Sequence, residues 1–313
     1  LIPGTPEAGG KLNIDLYFTG SLQQPEGTLS LEVQEPYFQE IEFDSVEARF
    51  SIGRGIARLD TLSIYINENH TGATGMMELV QSETGAYTVG EGSETRGIAK
   101  MDSFNLGTLQ PLLGEGFQLE GIAGYRLEWE GTVSKPNARG QIMVHNAALK
   151  PGPNAPPVDS LNVDIEITRR NIQINNISAF VADTSFSLQG EVAIQEFSTF
   201  QPNIVLSIGG QPAMNISGEA LEEGLNVDIR MNDFELGLIQ GFVPMVERME
   251  GSMTARIDID GTMKKPKING NIDISNWQIQ PYFLNAPLTE GILRASFDGE
   301  TLQLDTLYLK AIQ

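Results

Sequence analysis

Met253-Thr254-Ala255-Arg256-Ile257-Asp258-Ile259-Asp260-Gly261-Thr262-Met263-Lys264-Lys265-Pro266-Lys267-Ile268-Asn269-Gly270-Asn271-Ile272-Asp273-Ile274 decides the fold class. Met253, Ala255, Ile257 and Ile259 alternate with polar neighbours, and the alternation resumes at Ile272 and Ile274. Period two places one set of side chains on one face of an extended strand and the other set on the opposite face. Between the two runs a strand ends at Gly261, a turn follows, and Pro266 fixes φ where no ladder donor is required. Gly270 then lets the chain re-enter the sheet.

The same alternation runs through much of the chain. Leu12, Ile14, Leu16 and Phe18 show it, as do Leu127 with Trp129, Leu161 with Val163, Ile165 and Ile167, and Leu293, Ala295 and Phe297. Asp298-Gly299 and Gly209-Gly210 suit hairpin turns. Two stretches break the rule, near 106–113 and 236–243, where helix-like apolar spacing predicts short helices or helical turns. With 33 Gly and 16 Pro, long helices have little room.

These two stretches expose an internal repeat. Residues 101–146 set against 231–276 without a gap share fifteen identities, where ordinary residue usage gives about three by chance. Phe104 meets Phe234, Gln110 meets Gln240, and Gly131-Thr132-x-x-Lys135-Pro136 meets Gly261-Thr262-x-x-Lys265-Pro266. A partial copy begins near Leu12, with Gly20 and Pro25 in the roles of Gly131 and Pro136. Fixed-period self-similarity signals a stacked architecture in which each unit rests on its neighbours. The expected division is a partial first repeat over 1–100, a second over 101–230 and a truncated third over 231–313.

Composition narrows the function classes. The chain has 313 residues with 40% hydrophobic content, enough apolar material to rule out wholesale disorder. Its formal net charge of −21 opposes binding to phosphate backbones. There are no cysteines, which removes disulfides, thiol nucleophiles and zinc–thiolate sites. No apolar run reaches the roughly 18 residues that span a bilayer. The ends, Leu1-Ile2-Pro3-Gly4 and a strand-like Leu307 to Ile312, lead us to expect an excerpt from a longer protein.

Chemistry-bearing motifs are scarce. The two histidines, His70 and His145, are far apart in sequence and read as solvated surface residues. Asp258 and Asp260 alternate with apolar partners, as a wet strand face does, and Glu222-Glu223 reads as surface charge. No nucleophile elbow and no phosphate-binding loop occurs. We expect no catalytic residue, no metal, no cofactor and no enzymatic activity. Phe104 and Phe234 are read as plugs tying helix to sheet.

The order of these features resembles the TamB family and the wider AsmA-like group. The resemblance rests on a short amphipathic helix, Glu120-Gly121, a strand, Gly131-Thr132 through Lys135-Pro136 to Gly140, and a further strand. In the last copy it continues through Asn276-Trp277-Gln278-Ile279-Gln280-Pro281 and Ala286-Pro287-Leu288-Thr289-Glu290-Gly291. Related repeats occur in bridge-like lipid-transfer proteins. The resemblance implies an elongated, curled antiparallel β-sheet, a groove with an apolar concave face. It also implies a periplasmic location in a Gram-negative-type envelope, with an inner-membrane tether outside this sequence. The implied function is conduction of phospholipid acyl chains between inner and outer membranes during envelope biogenesis. The implied partners are those acyl chains and, through a part of the chain not present, an Omp85-type outer-membrane barrel protein.

A sheet with one apolar face must cover it with a second sheet, with helices or by curling. Helices are too few here, and a sheet curled as the resemblance implies would leave a trough. The expected lining is Leu12, Ile14, Leu16, Phe18, Leu127, Trp129, Val163, Ile165, Ile167, Met253, Ala255, Ile257, Ile259, Ile272, Ile274, Leu293, Ala295 and Phe297. Met76, Met77, Met214 and Met253 would make the lining adaptable. Two other readings share parts of this pattern. One is a scaffold for outer-membrane protein or autotransporter assembly, acting by strand addition at an exposed edge. The other is a polysaccharide-acting parallel β-helix, which would need rungs of about 20–25 residues.

Overall fold

A computed structural model describes residues 8–21, 23–39, 41–82, 84–113, 117–150, 156–181, 184–195, 199–221, 224–243, 246–262, 264–299 and 301–311. Leu1 to Gly4, Glu222, Glu223 and Ile312 lie outside the described residues. The chain is mainly β. The strands are β1 (Ala8–Ser21), β2 (Gln24–Phe38), β3 (Ile41–Glu42), β4 (Ser45–Gly53), β5 (Ile56–Ile66), β6 (Asn69–Glu78), β7 (Val80–Gln81), β8 (Tyr87–Thr88) and β9 (Glu94–Asn105). They continue with β10 (Gln118–Thr132), β11 (Lys135–Lys150), β12 (Val158–Ile167), β13 (Asn171–Val181), β14 (Thr184–Gln195), β15 (Thr199–Ile208), β16 (Gln211–Leu221) and β17 (Leu225–Glu235). The last four are β18 (Val246–Thr262), β19 (Lys265–Pro281), β20 (Leu288–Gly299) and β21 (Thr301–Ala311). Nineteen of them belong to a large antiparallel sheet that is not closed into a barrel, and β7 pairs with β8.

Two compact units divide the chain. Unit 1 comprises Leu1–Leu149 with Glu166–Arg169, and unit 2 comprises Lys150–Ile165 with Arg170–Gln313. In unit 1 the ladder runs β1–β2–β4–β5–β6–β9–β10, each pair antiparallel. In unit 2 it runs β13 through β21 in chain order, again antiparallel at each step. Sequence-adjacent antiparallel strands joined by short turns exclude the parallel β-helix, whose ladders are parallel.

Local chemistry explains the turns. Gly209 and Gly210 form a two-residue hairpin loop with φ of 61° and 79°, between the paired residues Ile208 and Gln211. Both central residues with positive φ define the type I′ turn that suits strand twist. The two helix-like stretches are 3₁₀ helices, η1 (Leu106–Leu113) and η2 (Leu236–Phe242). Gly107 and Pro111 in η1, and Gly237 in η2, disfavour a longer α-helix.

The repeat is a repeat of geometry. Gly121 and Gly251 have φ of 124° and 125°, Asn146 and Asn276 have 47° and 50°, and Ser160 and Glu290 have 52° and 55°. Gly20, Gly131 and Gly261 all have positive φ, and a Cβ on each would fall within 2.2, 2.7 and 2.6 Å of the carbonyl oxygen of Gln24, Lys135 and Lys265. Only glycine accommodates both demands. The following hydroxyl closes the turn identically in all three copies. Ser21, Thr132 and Thr262 accept the backbone N–H of Gln24, Lys135 and Lys265 at 3.2, 3.2 and 3.1 Å. From β1 to its counterpart β10 the copy contains six long strands, and from β10 to its counterpart β18 it contains eight.

The core is concentrated where a 3₁₀ helix meets the sheet. Ile208, Ala213, Phe234, Leu236, Val246 and Met249 form a buried cluster, with Leu238, Ile239, Met253 and Ile274 packed against it. Phe234 is 4% exposed and anchors η2 to the sheet, as read from its position before the helix. Its counterpart Phe104 is half-buried. Away from this cluster, most apolar side chains of the strands are half-buried rather than buried.

Candidate functional site

The cross-strand register builds apolar rows. Residues opposite each other in an antiparallel pair share a face. In unit 1, Ile14, Leu31, Ala48, Leu62, Ala73, Ala99 and Leu127 face one another in succession from β1 to β10. The next row is Leu16, Leu29, Phe50, Leu59, Gly75, Gly97 and Trp129. Leu12 and Phe18 flank these rows on β1. The two glycines make room for Trp129, whose Cζ2 would stand 3.3 Å from a Cβ at Gly75 and 2.2 Å from one at Gly97. The indole N–H donates to Thr95 Oγ1 at 3.3 Å on the same face.

Unit 2 repeats the construction over nine strands. Ile174, Gly190, Ile204, Ile216, Ile229, Ile257, Gly270, Phe297 and Leu302 form one row from β13 to β21. Leu188, Leu206, Met214, Met231, Ala255, Ile272, Ala295 and Leu304 form the next. Met253 pairs with Phe234 and Ile274, Ile274 pairs with Leu293, and Ile259 pairs with Val227. The expected lining residues of β18, β19 and β20 therefore share one face. Val163, Ile165 and Ile167 occupy alternate, half-buried positions of β12.

Register also shows what the sequence pattern left out. Leu31, Leu62, Ile204, Ile216, Ile229 and Met231 are as central to the rows as the residues chosen from sequence. Each sits in an alternating run of its own, which is the signal that could have found it. Met76 is a correction. Met77 pairs with Ala57 and Thr95 on the apolar side, whereas Met76 pairs with Arg58 and Arg96. Consecutive strand residues point to opposite faces, so both methionines cannot line one trough. Met76 Sδ instead accepts from Arg96 Nε at 3.0 Å.

The opposite face is charged. In unit 2, Asp228, Asp258, Asn269 and Asp298 form a row beside Arg230, Arg256 and Asn271. Arg230 Nε donates to Asp228 at 2.6 Å, and this hydrogen bond holds the Asp228 carboxyl below the usual range. In unit 1, Glu128 accepts from Arg126 at 2.8 Å and from Arg139 at 2.9 Å, and those hydrogen bonds lower its pKa. A cleft of about 550 Å³ is lined by residues of both sets, Arg58, Met76, Arg96 and Arg139 of the charged face with Leu59 and Trp129 of the apolar row among them. Asp258 thus belongs to a strand-face charge network, as its alternation indicated.

Within its own unit, each 3₁₀ helix is tied to the strand that follows it. Gln240 Nε2 donates to the Glu247 carbonyl at 2.7 Å, and its Oε1 accepts from Met249 N at 3.1 Å. Gln110 binds the Phe117 carbonyl and accepts from Leu119 N at 2.8 Å in the same way. One amide side chain thereby ties each helix to the strand after it. In unit 1 the helix is also fixed by Asn69, which donates to Thr108 Oγ1 at 3.1 Å and accepts from Asn105 N at 2.7 Å.

His70 is exposed and stacks on Tyr65 with ring centroids 4.6 Å apart, and His145 is exposed. Among the described residues no three His, Asp or Glu side chains gather as metal ligands would, and no helix is long and apolar enough to cross a membrane. No protein-family model matches the chain, and no curated protein or solved structure matches it.

Proposed function

We propose that the apolar face of each unit carries the acyl chains of phospholipids, in the manner of TamB/AsmA-like envelope proteins. One observation carries this reading: apolar rows continue across seven strands of unit 1 and nine of unit 2, and apart from the buried Ile174, Ala255 and Ala295 their side chains are half-buried or exposed. In unit 2, Leu236 of η2 belongs to the cluster against which Leu206 and Met231 of the second row pack. A face of this kind presents Leu, Ile, Val, Phe and Met to whatever covers it. An acyl chain gains about 0.8 kcal/mol for each CH₂ it buries there. Since the rows have no terminating polar residue, they favour sliding over stoichiometric capture. The charged opposite face keeps such a protein soluble. In this reading the protein works in a Gram-negative periplasm, tethered to the inner membrane and delivering lipid toward an outer-membrane barrel partner.

The test is native mass spectrometry of the 313-residue chain after incubation with vesicles of phosphatidylethanolamine and phosphatidylglycerol. Several phospholipids per chain are expected. Ile216→Asp with Ile257→Asp should lose them while retaining β circular dichroism. A folded wild-type chain that carries no lipid overturns the reading.

A further inference from the structure

The repeat assigns a partner to the outer edge of β1. Three strands occupy the same place in the three copies: β1, β10 and β18. Each contains a left-handed-region glycine near its start (Gly10, Gly121, Gly251) and another before its turn (Gly20, Gly131, Gly261). Each leads into a partner strand with a positive-φ residue at the matching place, Glu35, Asn146 and Asn276. The Ser21, Thr132 and Thr262 turn bonds are likewise the same.

On one side, β10 and β18 are covered by strands of one type. β10 takes β9, which ends in Phe104-Asn105 and runs into η1. β18 takes β17, which ends in Phe234-Glu235 and runs into η2. Both pairings carry a bulge just before the phenylalanine, between Met101 and Phe104 in one and between Met231 and Phe234 in the other. At β1, the end of the unit 1 ladder, no strand among the described residues pairs with the corresponding side. Leu12, Ile14, Leu16 and Phe18 are 56%, 56%, 68% and 53% exposed. Their counterparts on β18 are Met253, Ala255, Ile257 and Ile259, of which Ala255 is 8% exposed and the others half-buried. An edge strand with four exposed apolar side chains is a template for one more strand.

We infer that the outer edge of β1 is an acceptor for a strand of the β9/β17 type. The partner is an extended segment with a period-two apolar face, a Met-x-x-Phe bulge and a following Leu-Gly-x-x-Gln 3₁₀ turn. Its apolar residues extend the rows of Ile14 and Leu16, and its terminal turn takes the place that η1 and η2 hold in their own units. A glutamine in that turn would clamp the first residues of β1, as Gln110 and Gln240 clamp β10 and β18. This inference is independent of what the apolar face carries.

The experiment uses the full chain and a labelled synthetic peptide with the sequence of residues 225–243. Fluorescence anisotropy measures binding, and amide hydrogen exchange locates it. Saturable binding with new protection of amides in residues 10–20 is the expected result. A scrambled peptide should fail to bind, and Phe234→Asp in the peptide should weaken it. Ile14→Lys with Leu16→Lys should weaken binding roughly tenfold or more through two lost cross-strand apolar contacts. Asp15→Lys, on the other face, should leave it nearly unchanged, which controls for folding. Equal binding of the scrambled peptide, or protection confined to β21, overturns the inference. So does a β1-mediated dimer, seen in sedimentation, that the peptide does not displace.

Discussion

The indole of Trp129 lies against the α-carbon of Gly97, so close that a Cβ there would stand 2.2 Å from Cζ2. Gly97 faces Trp129 directly across the β9–β10 pair. Gly97→Ala must therefore push the ring off the apolar face. Overpacking of this kind costs about 1–3 kcal/mol. We expect a lower urea midpoint and a red-shifted tryptophan emission; Trp277→Phe in the background isolates the Trp129 signal. Unchanged emission would show that the ring does not rest on Gly97.

The turn glycines should be nearly irreplaceable. Gly131→Ala and Gly261→Ala would each meet both a left-handed backbone and a carbonyl oxygen below 3 Å. Roughly 1–3 kcal/mol of destabilisation is expected for each. Gly92→Ala, where a Cβ meets nothing within 4 Å, provides the comparison. Chemical denaturation of the three variants checks the order.

Gln240 holds two backbone groups of β18 at once. Gln240→Ala should cost about 1–3 kcal/mol because a donor and an acceptor lose their partner. The specific readout is faster hydrogen exchange at the Met249 amide. Gln240→Glu keeps the acceptor for Met249 and loses the donor to Glu247, so it should preserve most of the protection at Met249. Equal exchange in all three proteins would remove the clamp from the account.

Phe234 and Ile257 separate buried core from open face. Phe234→Ala removes a ring from the closed cluster and should cost about 3–5 kcal/mol. Ile257→Ala trims a half-buried side chain and should cost less than half as much. Thermal melts of both variants test this, and similar losses would mean that the face is covered in solution.

Acid should weaken the charged face. The carboxyls of Glu128 and Asp228 are held low by arginine hydrogen bonds. A lowered folded pKa contributes stability above the unfolded carboxylate value near pH 4, and that contribution is lost as pH falls through the folded value. Asp228→Asn should flatten the stability profile below about pH 4 and leave the range above pH 6 with a constant offset. Exposure and solvent screening keep the effect small.

The strand architecture was legible because period-two alternation is a local property. Met253 to Ile259 and Leu12 to Phe18 lie on strands, and Gly-x4-Pro marks hairpins. The 3₁₀ helices appear where the apolar spacing changed, since Gly and Pro left room for one or two turns. Pairing was less legible, because alternation does not say which residue stands opposite which. Bulges add to the difficulty: one residue of β5 is extra between Leu59 and Leu62, so position parity inverts within a single strand. Alternation therefore assigned Leu12 and Ile257 to apolar faces but could not tell that one is 56% exposed and the other half-buried. Residue type alone does not place Met76, because it and Met77 are successive residues of one strand and point to opposite faces.

The six and eight long strands between successive equivalents differ by two, which is one hairpin. An antiparallel ladder reverses direction at every strand, so gaining or losing a single strand would leave every later strand with the wrong polarity for its neighbour. Evolution can lengthen or shorten such a protein only in pairs of strands. A deletion of 199–221, which removes β15 and β16 together, should fold, because β14 and β17 then meet in the polarity each already requires. Removal of 211–221 alone should not.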